Sequence, residues 1–145
     1  MRLNLQSDYA LRLLMHLAAS DGELITIKQV AERFHISQNH LTKVAYLLGR
    51  EGFIETVRGR SGGLRLARKP AAIPIGEVVR YMEDLALVEC FPGGAAGCFI
   101  APACRLKGVL REALDAFLSV LDRYTIGDLT ANNAKLRSLL NSEAA

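Results

Sequence analysis

Apolar residues recur at helical spacing through the first third of the chain, alternate in two short runs after it, and return to helical spacing near the end. Tyr9, Ala10, Leu13, Leu14 and Leu17 fall at i, i+1, i+4, i+5 and i+8, one face of a helix predicted from about Ser7 to Ala19. Ser7 is its candidate cap, and Asp8 then lies in the first turn, where a carboxylate complements the helix dipole. The segment from Thr26 to Phe34 opens with a T-x-x-Q capping box, across which Ile25 can staple onto Val30. After a turn at His35-Ile36, Ser37 can cap a further helix with the apolar set Leu41, Val44, Ala45, Leu47 and Leu48, closed by Gly49 or Gly52. A short helix, a tight turn and a capped helix make a helix-turn-helix.

Phe53 to Val57 and Leu64 to Arg68 read as two short strands joined by Arg58-Gly-Arg-Ser-Gly-Gly63, a basic, glycine-rich hairpin tip. A helix-turn-helix followed by such a hairpin is a winged helix. Pro70 and Pro74 break the chain before a helix from Ile75 to Met82. Beyond Cys104, the residues Leu106, Leu110, Ala113, Phe117, Val120 or Leu121, and Tyr124 form an apolar stripe of about five turns, with Arg105, Lys107, Arg111, Glu112, Asp115, Asp122 and Arg123 on the other side. A last short helix after Gly127 is expected to fray beyond Leu140. The expected fold is mainly α: a winged helix-turn-helix over residues 1–80 with a two-stranded β wing, a cysteine-rich cluster loop over 81–104, and a long dimerisation helix and tail over 105–145, all in one compact chain.

Composition narrows the class. A chain of 145 residues, 50% hydrophobic and 23% charged, reads as one soluble globular domain. The apolar run near the start is broken by Arg12 and His16, and the uncharged Cys90–Cys104 stretch is rich in Gly and Pro, so neither is expected to span a membrane. The amino end lacks a signal-peptide pattern, and a cytoplasmic location is expected. Charge is uneven: residues 1–69 hold 11 Lys/Arg against 6 Asp/Glu, while residues 70–145 hold 7 against 9. The basic half should face a polyanion. Gln38, Asn39, His40, Thr42 and Lys43, beside the cap Ser37, are types that bond base edges and phosphates in a major groove. A polar outer face is also the default for any amphipathic helix. The wing tip, with Arg58, Arg60 and Ser61 and no nearby acid, decides for double-stranded DNA over a solvated surface.

All three cysteines, Cys90, Cys98 and Cys104, lie in one stretch spaced C-x7-C-x5-C. An odd number cannot all pair within one chain, and in a reducing compartment shared metal ligation is the stronger reading. Structural zinc wants closed four-ligand sites with C-x2-4-C knuckles, a spacing missing here, whereas thiolates on longer spacers suit an iron–sulfur cluster. Gly93, Gly94, Ala95, Ala96 and Gly97 leave room for backbone to approach sulfide, and Phe91, Phe99, Ile100 and Pro102 could supply an apolar shell. The plainer alternative is a glycine-rich loop with incidental cysteines. The apolar stripe suggests a homodimer, and a dimer with one helix-turn-helix per chain requires a palindromic operator.

Five stretches carry a resemblance over nearly the full length: Ser7-Asp-Tyr-Ala-Leu-Arg12, Ser37-Gln-Asn-His-Leu-Thr-Lys43, Val57-Arg-Gly-Arg-Ser-Gly-Gly-Leu-Arg-Leu66, Pro102-Ala-Cys-Arg-Leu106 and Leu121-Asp-Arg-Tyr-Thr-Ile-Gly-Asp-Leu129. The chain resembles the NsrR-type nitric-oxide-sensing repressors, in the winged-helix family that also includes the iron–sulfur assembly regulator IscR. The resemblance implies cluster ligands at Cys90, Cys98 and Cys104, a DNA-reading helix at residues 37–50, a wing at 58–63, and a homodimeric repressor whose 4Fe-4S or, less favoured, 2Fe-2S cluster is attacked by nitric oxide with release of operator DNA. The first cysteine spacer is longer here than the x5 common in relatives, and Lys107 stands where the assembly regulator has a histidine. A protonated amine is no iron ligand, so the fourth ligand comes from elsewhere: Asp8, His16, solvent or a small thiol. Asp8 is favoured, because in close relatives an acid at the start of the first helix reaches the cluster of the other subunit. The rival readings are a sensor of iron, oxygen or cluster supply with the same fold, and an iron–sulfur electron-transfer protein.

Overall fold

The computed structural model describes residues 1–92 and 97–143. The first helix, α1 (Leu5–Ala19), starts one turn earlier in effect than the apolar pattern predicts, because Asn4 rather than Ser7 caps it. The Asn4 side-chain oxygen accepts from the Ser7 amide at 2.8 Å, which draws Ser7 inside the first turn and buries it. Asn4 is itself fastened at both ends. Its amide donates to Glu83 Oε1 at 2.7 Å, and its side-chain nitrogen donates to the Met82 carbonyl at 3.0 Å.

Helix α2 (Ile27–Phe34) begins with the expected capping box: the Gln29 amide donates to Thr26 Oγ1 at 3.2 Å, and the Gln29 side chain accepts from the Thr26 amide at 2.8 Å. His35 then turns the chain in the left-handed region, at φ 54°. Helix α3 (Gln38–Arg50) follows with Leu41, Val44, Ala45 and Leu48 buried and Leu47 half-buried. Ser37 holds the capping position but makes no side-chain bond there. The wing strands are shorter than their apolar runs. Strand β1 (Ile54–Val57) pairs antiparallel with β2 (Gly63–Leu66), in register from Ile54–Leu66 to Val57–Gly63. Phe53 lies just outside the assigned strand, its carbonyl still accepting from the Ala67 amide at 3.0 Å, and its side chain is fully buried in the core. The hairpin closes because Gly62 has no side chain, since a Cβ there would collide with the Val57 carbonyl. Ile25 adds an isolated bridge to β2, exchanging backbone bonds of 3.0 and 2.7 Å with Leu64.

A single 3-10 turn at Pro70–Ala72 leads to α4 (Ile75–Met82), as the prolines predict. Arg68 ties wing to helix: its guanidinium lies 4.4 Å from the Phe53 ring centroid and bonds both oxygens of Glu77, at 2.9 and 3.2 Å. Helix α5 (Leu106–Asp122) packs on α4, and Arg80 grips Asp122 across the joint, its Nη2 at 2.7 Å from Oδ2. Gly76 leaves the room for that grip; a Cβ there would strike the Asp122 carboxylate.

The expected single stripe on α5 is corrected to two. Leu114 and Leu118 are buried, with Leu110, Phe117 and Leu121 half-buried beside them, while Leu106, Val109, Ala113, Ala116 and Val120 form a second, exposed row at steps of three and four. The single last helix is also corrected to two. Helix α6 (Ile126–Thr130) opens on a Thr125–Asp128 capping box, with Gly127 buried inside it, and α7 (Ala134–Asn141) is capped by Asn133. Leu140 is buried at the end of α7, and Asn141 donates to the Ala19 carbonyl at 3.0 Å, so the chain is pinned where fraying was expected. One apolar core runs from Ala10 through Leu48 and Val78 to Ile126. No helix among the described residues is long and apolar enough to cross a membrane.

Candidate nucleic-acid interface and cysteine site

Helix α3 buries the row Leu41, Val44, Ala45 and Leu48, and this packing turns its other side outward. Ser37, Gln38, Asn39, His40, Thr42 and Lys43 are all exposed, and so are Arg58, Arg60 and Ser61 at the wing tip. Thr42 donates its hydroxyl to the Gln38 carbonyl at 2.8 Å, which leaves the oxygen's lone pairs outward as acceptors. His40 stacks on Tyr9 of α1, with ring centroids 6.3 Å apart and planes 28° from parallel. Two residues that sequence reasoning missed extend the same face. Tyr46, 66% exposed, and Arg50 line a groove between α3 and the wing together with Thr42, Thr56 and Arg58. The signal was available, since Thr42, Tyr46 and Arg50 repeat at i+4. Lys43, Arg50, Arg58 and Arg60 give this surface its positive field, and the nearby acid Glu55 is neutralised by Arg65.

The three cysteines are free thiols. Cys90 and Cys104 are half-buried and Cys98 is exposed. Residues Gly93, Gly94, Ala95 and Ala96 lie outside the described residues. Consecutive turns carry the chain from Cys98 to Cys104, with Ala101, Ala103 and Cys104 amides donating to the carbonyls of Cys98, Ile100 and Ala101. Of the expected apolar shell only Phe91 is buried, under the Arg111 guanidinium at 4.7 Å; Phe99, Ile100 and Pro102 stand exposed. Among the described residues no three His, Cys, Asp or Glu side chains are grouped closely enough to hold a metal ion. The donor set nevertheless suits an iron–sulfur cluster, whose irons are held by cysteine thiolates.

Asp8 sits in the first turn of α1 and forms a two-point pair with Arg12, at 2.7 and 3.0 Å, with both side chains 40% exposed. It therefore remains reachable from outside the protomer. His16, the other side-chain candidate for a fourth ligand, is buried and packs edge-on against Phe34 at 6.0 Å. Burial, and secondarily Arg33, push its pKa below 6.5.

Comparison with known proteins places this geometry in a family. A model described as "Rrf2: Iron-dependent Transcriptional regulator" matches residues 3–132. The chain is 54% identical over 142 residues to the HTH-type transcriptional regulator NsrR of Shouchella clausii, covering 97% of this chain and 95% of that protein. The regulator of the same name from Bacillus subtilis is 53% identical, with 97% of each chain covered. Among solved structures, T. potens IscR superposes with a TM-score of 0.69 at 25% identity, over 89% of this chain and 85% of that one. CymR, the global cysteine regulator of B. subtilis, superposes with a TM-score of 0.72 at 25% identity, over 90% and 97%. With a winged helix, an exposed reading helix and a basic wing, and with relatives that are regulators rather than enzymes, the chain belongs to the Rrf2 family of DNA-binding transcriptional regulators.

Proposed function

We propose that the chain is a homodimeric repressor that binds a palindromic operator and lets go of it when nitric oxide attacks an iron–sulfur cluster held by Cys90, Cys98 and Cys104. The observation that carries the reading is three unpaired thiols kept in one stretch of a winged helix that is over half identical to NsrR regulators along nearly its whole length. Three thiolates suit three corners of a 4Fe-4S cubane better than a 2Fe-2S core, and leave one iron for a weaker ligand. The partner's Asp8 is the ligand we assign there, consistent with the surface position of this carboxylate in the protomer. When bound, the cluster would supply an iron open to a small diatomic, and its loss frees the cysteine stretch from its anchor.

The chain's own contacts then give a route to DNA. Asn4 fastens the start of α1 to Met82 and Glu83, at the head of the segment that leads to Cys90. One turn further along α1, Tyr9 stacks on His40 of the reading helix. Helix α1 thus touches both the sensor segment and the reader. Gln38, Asn39, Thr42 and Tyr46 are suited to base edges, while Lys43, Arg50, Arg58, Arg60, Ser37 and Ser61 are suited to phosphates. Dimerisation through the exposed row on α5 would set the distance between two such readers.

The test is anaerobic purification with iron and sulfide analysis, followed by operator binding before and after nitric oxide. Wild-type protein should bleach and release the operator. A Cys98→Ala protein that keeps a stable cluster and still responds to nitric oxide overturns the reading. The family description as iron-dependent favours a second reading, a sensor of iron or cluster supply. Operator release on iron removal but not on nitric oxide would select it.

A further inference from the structure

At the carboxyl-terminal end of α1, α2, the end of α7 and the turn after α1 line a cleft of about 580 Å3. Two side chains there carry buried polar atoms without a protein partner, His16 Nδ1 and Arg33 Nε. His16 as a whole is only 4% exposed. The Arg33 guanidinium is otherwise held by a long 3.5 Å bond from Nη1 to Ser142 Oγ, so its side edge still needs an acceptor. Desolvated donors in a fixed planar fork are suited to a carboxylate, and leaving them unmatched is costly. The rest of the cleft carries the opposite charge. Glu23, Glu143 and Glu32, the last also paired with Lys28 at 3.9 Å, line it against Arg33 alone, since burial lowers the pKa of His16. Such a wall repels a multiply charged anion and attracts an ammonium group. Ile25 and Leu140 add apolar lining of a size for a short aliphatic chain.

We propose that this cleft is a binding site for a small zwitterion of the α-amino acid class, its carboxylate on Arg33 and His16 and its ammonium toward Glu23, Glu32 and Glu143. A ligand with only one of these charges satisfies one wall and is opposed by the other. Because Arg33 belongs to the helix-turn-helix and Ser142 follows α7, an occupant would also clamp the carboxyl-terminal helix to the DNA-binding unit.

The full-length protein is titrated with the standard amino acids up to about 10 mM, with acetate and ethylammonium as half-ligands, by calorimetry and by NMR of the histidine rings. With 3 histidines in the chain, the His16 signals can be assigned from a His16→Gln protein. At least one amino acid should bind saturably and move the His16 signals, with acetate and ethylammonium each weaker by about tenfold or more. Arg33→Lys, which keeps the charge and loses the Nε donor, should weaken binding by about tenfold; if that protein does not fold, Glu23→Gln is judged by the same criterion. The proposal is overturned if no amino acid moves the His16 signals, if either half-ligand binds as well as the amino acid, or if the folded variant binds as tightly as wild type.

Discussion

Val109→Asp should separate the proposed dimerisation from folding. In the protomer Val109 is 59% exposed in the outer row of α5, with Leu106 and Ala113 as neighbours at three and four residues. Burying a valine side chain completely is worth about 1.5–2 kcal/mol, so the part still exposed represents about 1 kcal/mol per protomer and about 2 kcal/mol in a two-fold dimer, where it is covered twice. The substitution also places two carboxylates in an apolar seam, which costs a further few kcal/mol. A weakening of at least about 4 kcal/mol corresponds to about a thousandfold rise in the dimer dissociation constant. The protomer loses little, because an exposed substitution usually changes stability by less than about 0.5 kcal/mol. Sedimentation should therefore show monomers at micromolar concentration with a near-native circular dichroism spectrum, and operator affinity should collapse with the dimer. A Val109→Asp protein whose dimer constant stays within about threefold of wild type would show that the exposed row is not the dimer interface.

Other outcomes follow from single contacts. Lys43→Ala or Arg60→Ala should reduce the slope of log affinity against log salt by about one unit without changing the preferred sequence, as measured by binding to operator and random DNA across a salt series. Thr26→Ala removes one half of the α2 capping box and should cost about 1 kcal/mol in denaturant unfolding, with the wing still formed. His16 makes stability depend on pH: its folded pKa lies below the unfolded 6.5, so the unfolded chain takes up the proton first. Stability should fall as pH drops below 6.5, levelling out only below the folded pKa, and His16→Gln should flatten that part of the profile.

Signals confined to a few neighbouring residues were legible in the sequence. The Thr26–Gln29 box, the turn at His35 and the prolines before α4 each act within one turn of chain, and the structure has them where the residues predict. Signals in competition were misread. Ser7 looks like a cap, but Asn4 takes the role because Met82 and Glu83, nearly eighty positions away, hold it in place. Helix α5 is apolar on two sides, so a period of three and four can be drawn through either row, and only packing against α4 reveals that Leu114 and Leu118 face inward. Asp128 supplies a cap partner for Thr125 as readily as a glutamate would, yet the start of α6 was missed. The thiol spacing was plain from the residues, but among the described residues the three thiols are not gathered into one metal-binding group, and no short-range hydrogen-bond rule in the sequence would gather them.

The bridge between Ile25 and Leu64 has a consequence for the operator. With β2 joined at Leu64, near the tip end of the ladder, to the segment before α2, and Arg68 clamping the base of the hairpin to Glu77, the wing cannot swing against the reading helix without breaking two backbone bonds and an ion pair. On the proposed palindromic operator, each protomer would meet its half-site as one stiff footprint. What a signal could alter in a dimer is the offset and rotational phase between two footprints. Sensitivity to induction should accordingly track the number of base pairs between half-sites, with operators lengthened or shortened there behaving differently from those mutated within a half-site.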